Sequence, residues 1–146
     1  MVGVEFDFVV TDCIKALEQY EGIFDVERIE VTAYDQGFNE AIFSIYGVRF
    51  HMLDMNPEYG LLAPDGDRPN SFWVNLMVED IQATWQKAMD AGCTEIQAVS
   101  ELPAFGVANA VFMDSFGYAW MLHQIKREVS FEDRMKLFEE ELKDKP

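Results

Sequence analysis

The chain has 146 residues, of which 49% are hydrophobic and 14% aromatic, a content that suits one domain able to bury its own core without a disulfide or structural metal. The formal charge of −16 argues against nucleic acid and anionic membrane surfaces, because both need a positive footprint. The acidity either serves solubility or attracts a cationic ligand. No apolar run approaches the roughly 18 residues of a membrane helix, and the N-terminus has neither a basic segment nor a long apolar one, so a cytoplasmic protein is expected.

In chain order, Glu5 to Val10 alternates in the manner of a half-buried strand. Asp12 supplies an N-cap, Ile14, Leu17 and Tyr20 recur at helical spacing, and Gly22 ends the helix. Strands follow over Arg28 to Tyr34, Asn39 to Tyr46 and Val48 to Asp54. The turn-rich stretch Ala63 to Asn70 has no periodicity and forms the expected module boundary. The second half repeats the order: strand Phe72 to Val78, cap Asp80, helix to Ala91 with Gly92 as its C-cap, a short strand near Glu95 to Val99, then strands Val107 to Asp114 and Tyr118 to Ile125. Ser130 caps a final amphipathic helix whose stripe, Phe131, Met135, Phe138 and Leu142, must cover the module sheets or a second subunit. Cys13 and Cys93 lack CxxC spacing and are expected as packing residues.

Val10-Thr11-Asp12 recurs as Val78-Glu79-Asp80, and Gly47 to Leu53 recurs as Gly117 to His123. Two copies of one α+β unit are implied, over 4–63 and 71–127, with 128–146 as the added helix. On the first and last strands of each unit, one parity holds Phe6, Phe8, Phe50, Met52, Val74, Leu76, Trp120 and Leu122, the expected helix-packed face. The other parity holds Glu5, Asp7, Arg49, His51, Trp73, Asn75, Met121 and His123. These eight are either solvated strand residues or the wall of a cup formed by two curved sheets, and such a cup would hold a small molecule.

The Val-x-Asp pairs, Ala91-Gly92 and the run Asp114-Ser115-Phe116-Gly117-Tyr118-Ala119-Trp120-Met121-Leu122 resemble the vicinal-oxygen-chelate superfamily of glyoxalases, bleomycin-resistance proteins, extradiol dioxygenases and fosfomycin-resistance enzymes, with Ser115 where proline is common. The resemblance spans about residues 4 to 125. It implies an α+β fold of two tandem βαβββ modules, curved mixed sheets around a cup with helices outside, in a homodimer. It also implies metal-ligand positions at Glu5 and Trp73, seven residues before each Val-x-Asp aspartate, and at His51 and Met121 on the last strands. Only Glu5 and His51 suit a divalent ion, since an indole N–H does not ligate and a thioether is soft. His123, two residues beyond Met121, sits about 7 Å too far along the strand for a simple substitution.

No cofactor is therefore expected, and the eight polar-face residues are the candidate ligand-binding set of a metal-independent protein for a cationic or aromatic small molecule. A metal-dependent lyase or dioxygenase using Glu5, His51 and one divalent ion is the alternative. A module with a vestigial cup is the third reading. The Glu5/His51 pair is either a proton-transfer couple or an ion pair bracing the wall.

Overall fold

A computed structural model describes residues 1–66 and 71–145, so Asp67 to Asn70 of the expected connector lie outside the described residues. The fold is α+β, with two four-stranded mixed sheets and three helices. In the first half, strands β1 (Phe6–Val10), β2 (Val26–Val31), β3 (Glu40–Ile45) and β4 (Val48–Asp54) surround helix α1 (Cys13–Glu21). In the second, β5 (Val74–Met77), β6 (Thr94–Leu102), β7 (Val107–Met113) and β8 (Ala119–Ile125) accompany helix α2 (Ile81–Asp90), and helix α3 (Phe131–Lys143) follows. The sheets run β1-β4-β3-β2 and β5-β8-β7-β6, so each half has the same strand order. In each, the first strand lies parallel to the last and the other pairings are antiparallel.

The caps explain where the helices begin. The Asp12 carboxylate accepts from Lys15 N, Asp80 accepts from Ala83 N and the Ser130 hydroxyl from Asp133 N, each satisfying a first-turn donor that has no partner inside its helix. Several element ends differ from the sequence expectation, β2 among them, which runs Val26–Val31 rather than Arg28 to Tyr34. The short strand near Glu95 to Val99 is a nine-residue β6, Thr94–Leu102, bent by register shifts. Helix α2 closes on Ala91 in a right-handed conformation, and Gly92 takes the left-handed one at φ +92° just beyond it.

The helix-packed faces of both sheets merge into one aromatic core. Trp120, 2% exposed, stands 5.0 Å from the Tyr20 ring and 5.3 Å from that of Phe24, and Phe24 meets Phe112 at 6.2 Å. Phe50, Met52, Leu76 and Leu122 are buried in it as the parity predicted. Phe6 is the correction: it is 42% exposed, because β1 is an edge strand and its first residue overhangs the junction between the halves. Cys13 and Cys93 are buried, free thiols.

The stripe on α3 also departs from expectation. Phe131, Phe138 and Leu142 remain exposed, and the helix touches the body mainly at the 3-10 turn Pro103–Phe105. Within one chain the stripe does not cover the sheets. No helix among the described residues is long and apolar enough to cross a membrane.

Candidate functional site

Register places the polar face of the first sheet. Asp7 lies opposite His51 on the parallel β1/β4 pair, His51 opposite Ile42 across β3, and Ile42 opposite Glu30 on β2. Side chains of register partners share a face, so an acid, a histidine and a second acid lie along one row. Glu5, immediately before β1, closes the cluster. Its Oε1 lies 3.1 Å from His51 Nδ1, and its Oε2 accepts from Arg49 Nε at 2.8 Å. The second ring nitrogen of His51 meets Glu40 Oε2 at 3.1 Å, and Asp7 Oδ2 lies 3.7 Å from Nδ1.

These contacts set the charges. Carboxylates only accept, so a histidine held between two of them carries a proton on both nitrogens. Burial pulls the His51 imidazole down, but Glu5 and Glu40 outweigh it and the group sits above its ordinary 6.5. Arg49 first and His51 second hold Glu5 down at about 2. Asp7 is raised, by burial and then by the neighbouring Glu5. The Glu5/His51 contact is thus an ion pair, and Arg49 extends it into a network.

The second sheet offers different chemistry on its corresponding face. Its central rows are Asn75–Met121–Val111–Gln97 and Met77–His123–Asn109–Ser100, which contain no carboxylate. His123 Nδ1 lies 2.5 Å from Asn109 Oδ1, so the amide oxygen fixes the ring with a proton on that nitrogen.

Between the halves lies a hollow of about 350 Å³. Glu5 and Asp7 line it from the first half, and Trp73, Phe72 and Tyr118 from the second, with Phe6 and Phe8 between them. Of the eight residues singled out by parity, the structure brings three into this hollow: Glu5, Asp7 and Trp73. Arg49 and His51 stand behind the two acids in the network described above. Asn75 lines an adjoining groove, while Met121 and His123 lie on the second sheet away from both. Parity over the outer strands did not reveal Glu40, on β3, where the polar Glu40 and Ser44 are part-buried while Ala41, Ile42, Phe43 and Ile45 are all buried. Phe6, Phe72 and Tyr118 also escaped it, because they belong to strand ends and to the space between modules.

Glu5, Asp7 and His51 each offer an atom within 4.8 Å of the other two, the spacing of a metal site. In the present arrangement both nitrogens of His51 lie 3.1 Å from carboxylates and Glu5 is paired with Arg49, so an ion would have to displace those contacts. The second half brings only Trp73 and Met121 to the positions that the superfamily resemblance assigns to ligands.

No protein-family model matches the chain. An uncharacterized protein of Mycobacterium bovis is 30% identical over 129 residues, covering 86% of this chain and 84% of its own. Among solved structures, FosX of Listeria monocytogenes, a fosfomycin resistance protein, matches with a TM-score of 0.67 at 14% identity, over 92% of this chain and 98% of that one. TioX from Micromonospora sp. ML1 matches with a TM-score of 0.61 at 14% identity, over 88% of this chain and 100% of that one. FosX has also been solved with Mn(II) and a dihydroxypropylphosphonic acid. The chain belongs with the uncharacterized mycobacterial protein in one family, and its fold resembles that of the glyoxalase and bleomycin-resistance superfamily, whose members include both metal-dependent enzymes and binding proteins.

Proposed function

We propose that this chain is a metal-independent small-molecule binding protein that takes cationic, aromatic ligands at the junction of its halves. The observation that carries the reading is the shared hollow, in which Glu5 and Asp7 face Trp73, Phe72 and Tyr118. An aromatic body stacks on those rings while its positive charge meets the acids, a pairing that gains from both quadrupole and Coulomb attraction. Net charge of −16 draws the ligand in. Arg49 and His51 hold Glu5 in place, and Asn75 lines the groove that adjoins the hollow. The working form is a homodimer, supported by the apolar stripe that α3 leaves uncovered, and two unpaired cysteines support a cytoplasmic setting.

Titration with 9-aminoacridine, a cationic aromatic probe, tests this. Tryptophan fluorescence is expected to quench saturably, to recover as salt rises, and to lose the response in Trp73→Leu. A probe that leaves the emission unchanged overturns the reading.

The close approach of Glu5, Asp7 and His51 favours a second reading, a metal-dependent enzyme of the lyase or dioxygenase type. It requires the ion to displace Arg49 and a proton from His51. Metal analysis of protein purified without chelator separates the two: a stoichiometric divalent ion lost in His51→Ala supports the second and removes the first.

A further inference from the structure

The hollow beside Asp7 does not end at the aromatic rings. A second groove, of about 470 Å³, continues on the far side of Phe6 and Phe72, and the two share Phe6, Phe50, Phe72, Trp73 and Val74 as a common wall. The groove then runs past Ile45, Tyr46, Val48 and Met77. The Phe6–Phe72 ring pair, with centroids 6.1 Å apart, belongs to that common wall. Both rings are solvent-exposed, 42% and 66%. Tyr46, Val48 and Met77 are about half exposed as well, which leaves a run of apolar surface along the groove.

The two carboxylates at the inner end are not equivalent. Glu5 is bonded to Arg49 and His51, and its side chain is 31% exposed. Asp7 lies 3.7 Å from the imidazole, past hydrogen-bonding reach, and its side chain is 54% exposed. Both acids line the hollow, but the charge of Glu5 is offset by Arg49 and His51, whereas Asp7 has Glu5 itself and the more distant His51 as neighbours.

Resting on the binding function proposed above, we infer that hollow and groove form one continuous channel for an elongated amphiphile, with a cationic head at Asp7 and an apolar tail laid past Phe6 and Phe72 toward Val48 and Met77. Charge complementarity selects the head, and the uncharged lining selects the tail. Asp7, rather than Glu5, is then the residue that distinguishes a charged head from a neutral one. A compact ligand fills the inner hollow alone and forgoes the groove.

Primary alkylamines from butylamine to decylamine, and the alcohols of the same lengths, test the assignment below their micelle-forming concentrations by displacement of bound 9-aminoacridine. Affinity of the amines is expected to rise roughly threefold to fourfold with each methylene, the transfer value for a CH₂ leaving water. Asp7→Asn is expected to weaken the amines about threefold to tenfold and leave the alcohols unchanged, with Asp7→Glu restoring part of the difference. Met77→Glu, at an exposed position, is expected to weaken only the longer members. If 9-aminoacridine binds while amine affinity is independent of chain length, the channel is refuted and the junction site stands. A chain-length dependence untouched by Met77→Glu also refutes the channel. If amines and alcohols bind alike, or if Asp7→Asn weakens both equally, the role of Asp7 is refuted. If neither probe nor amine binds, the functional reading itself fails.

Discussion

The hydroxyl of Tyr20 donates to Asp114 Oδ2 at 2.6 Å across 94 residues of sequence, tying the helix of the first half to the turn before the last strand of the second. Trp120 Nε1 donates to the same oxygen at 2.9 Å, while Phe116 N and Tyr118 N fill Asp114 Oδ1. A 4% exposed carboxylate is tolerable there only because four donors replace the water it lost. Tyr20→Phe removes one donor and should cost about 1–3 kcal/mol in urea unfolding, with Asp114→Ala costing more because it strands the buried hydroxyl and indole. Burial and the Asp114 charge also push the Tyr20 phenol well above 10.0. The unfolded chain therefore releases that proton first, so stability should fall as pH rises past 10.0 and fall less steeply in Tyr20→Phe.

The acid–histidine network predicts opposite pH limits for its members. Glu5, held at about 2 by Arg49 and His51, contributes stability that is present above 4.5 and lost as pH falls toward 2. His51, raised above 6.5, contributes stability that is present below 6.5 and lost as pH rises through its folded value. Carboxyl and imidazole NMR titrations should show both displacements. In Arg49→Met the Glu5 titration should move up toward 4.5, and an unmoved titration would show that Arg49 is not its main partner.

Two glycines at positive φ should respond unequally to alanine. Gly47, at φ +83° in the β3–β4 turn, has nothing within 4 Å of a built Cβ, so Gly47→Ala should cost only the left-handed strain of about 1 kcal/mol. A Cβ on Gly106, at φ +69°, would run into the Arg127 carbonyl, and the Gly106 carbonyl itself accepts from Lys126 N and Arg127 N where the chain leaves β8. Gly106→Ala should cost more than about 2 kcal/mol and lower the melting temperature correspondingly.

Native thiol labelling should be slow. Burial pushes the Cys93 thiol up to about 12, and burial together with Asp54 pushes Cys13 higher still. Neither forms appreciable thiolate near neutral pH, so Ellman's reagent should react only as the protein unfolds, with two equivalents released in denaturant.

If the α3 stripe is a subunit contact, Phe138→Glu should weaken self-association in sedimentation equilibrium and leave thermal unfolding of the body nearly unchanged, since α3 touches that body mainly at one short turn.

Much of the fold was legible because backbone demands are local. Asp12, Asp80 and Ser130 announced helix starts, and alternation separated Phe50, Met52, Leu76, Trp120 and Leu122 from Glu5, Asp7, His51 and Met121. The end of β1 was not legible in this way, because alternation assigns Phe6 a face but says nothing of whether another element covers that face.

The sequence by itself determined the two α+β units, their strand parities and the residues that could bear charge on the open face, since these follow from side-chain period and capping within a few residues. Only the tertiary structure decided that Glu40 joins His51, that Glu5 is neutralised by Arg49, and that Asp7 shares a hollow with Trp73. Those relationships depend on strand register and on how the two modules pack together, and separations of 11 to 66 residues along the chain carry no periodic signal from which to read them.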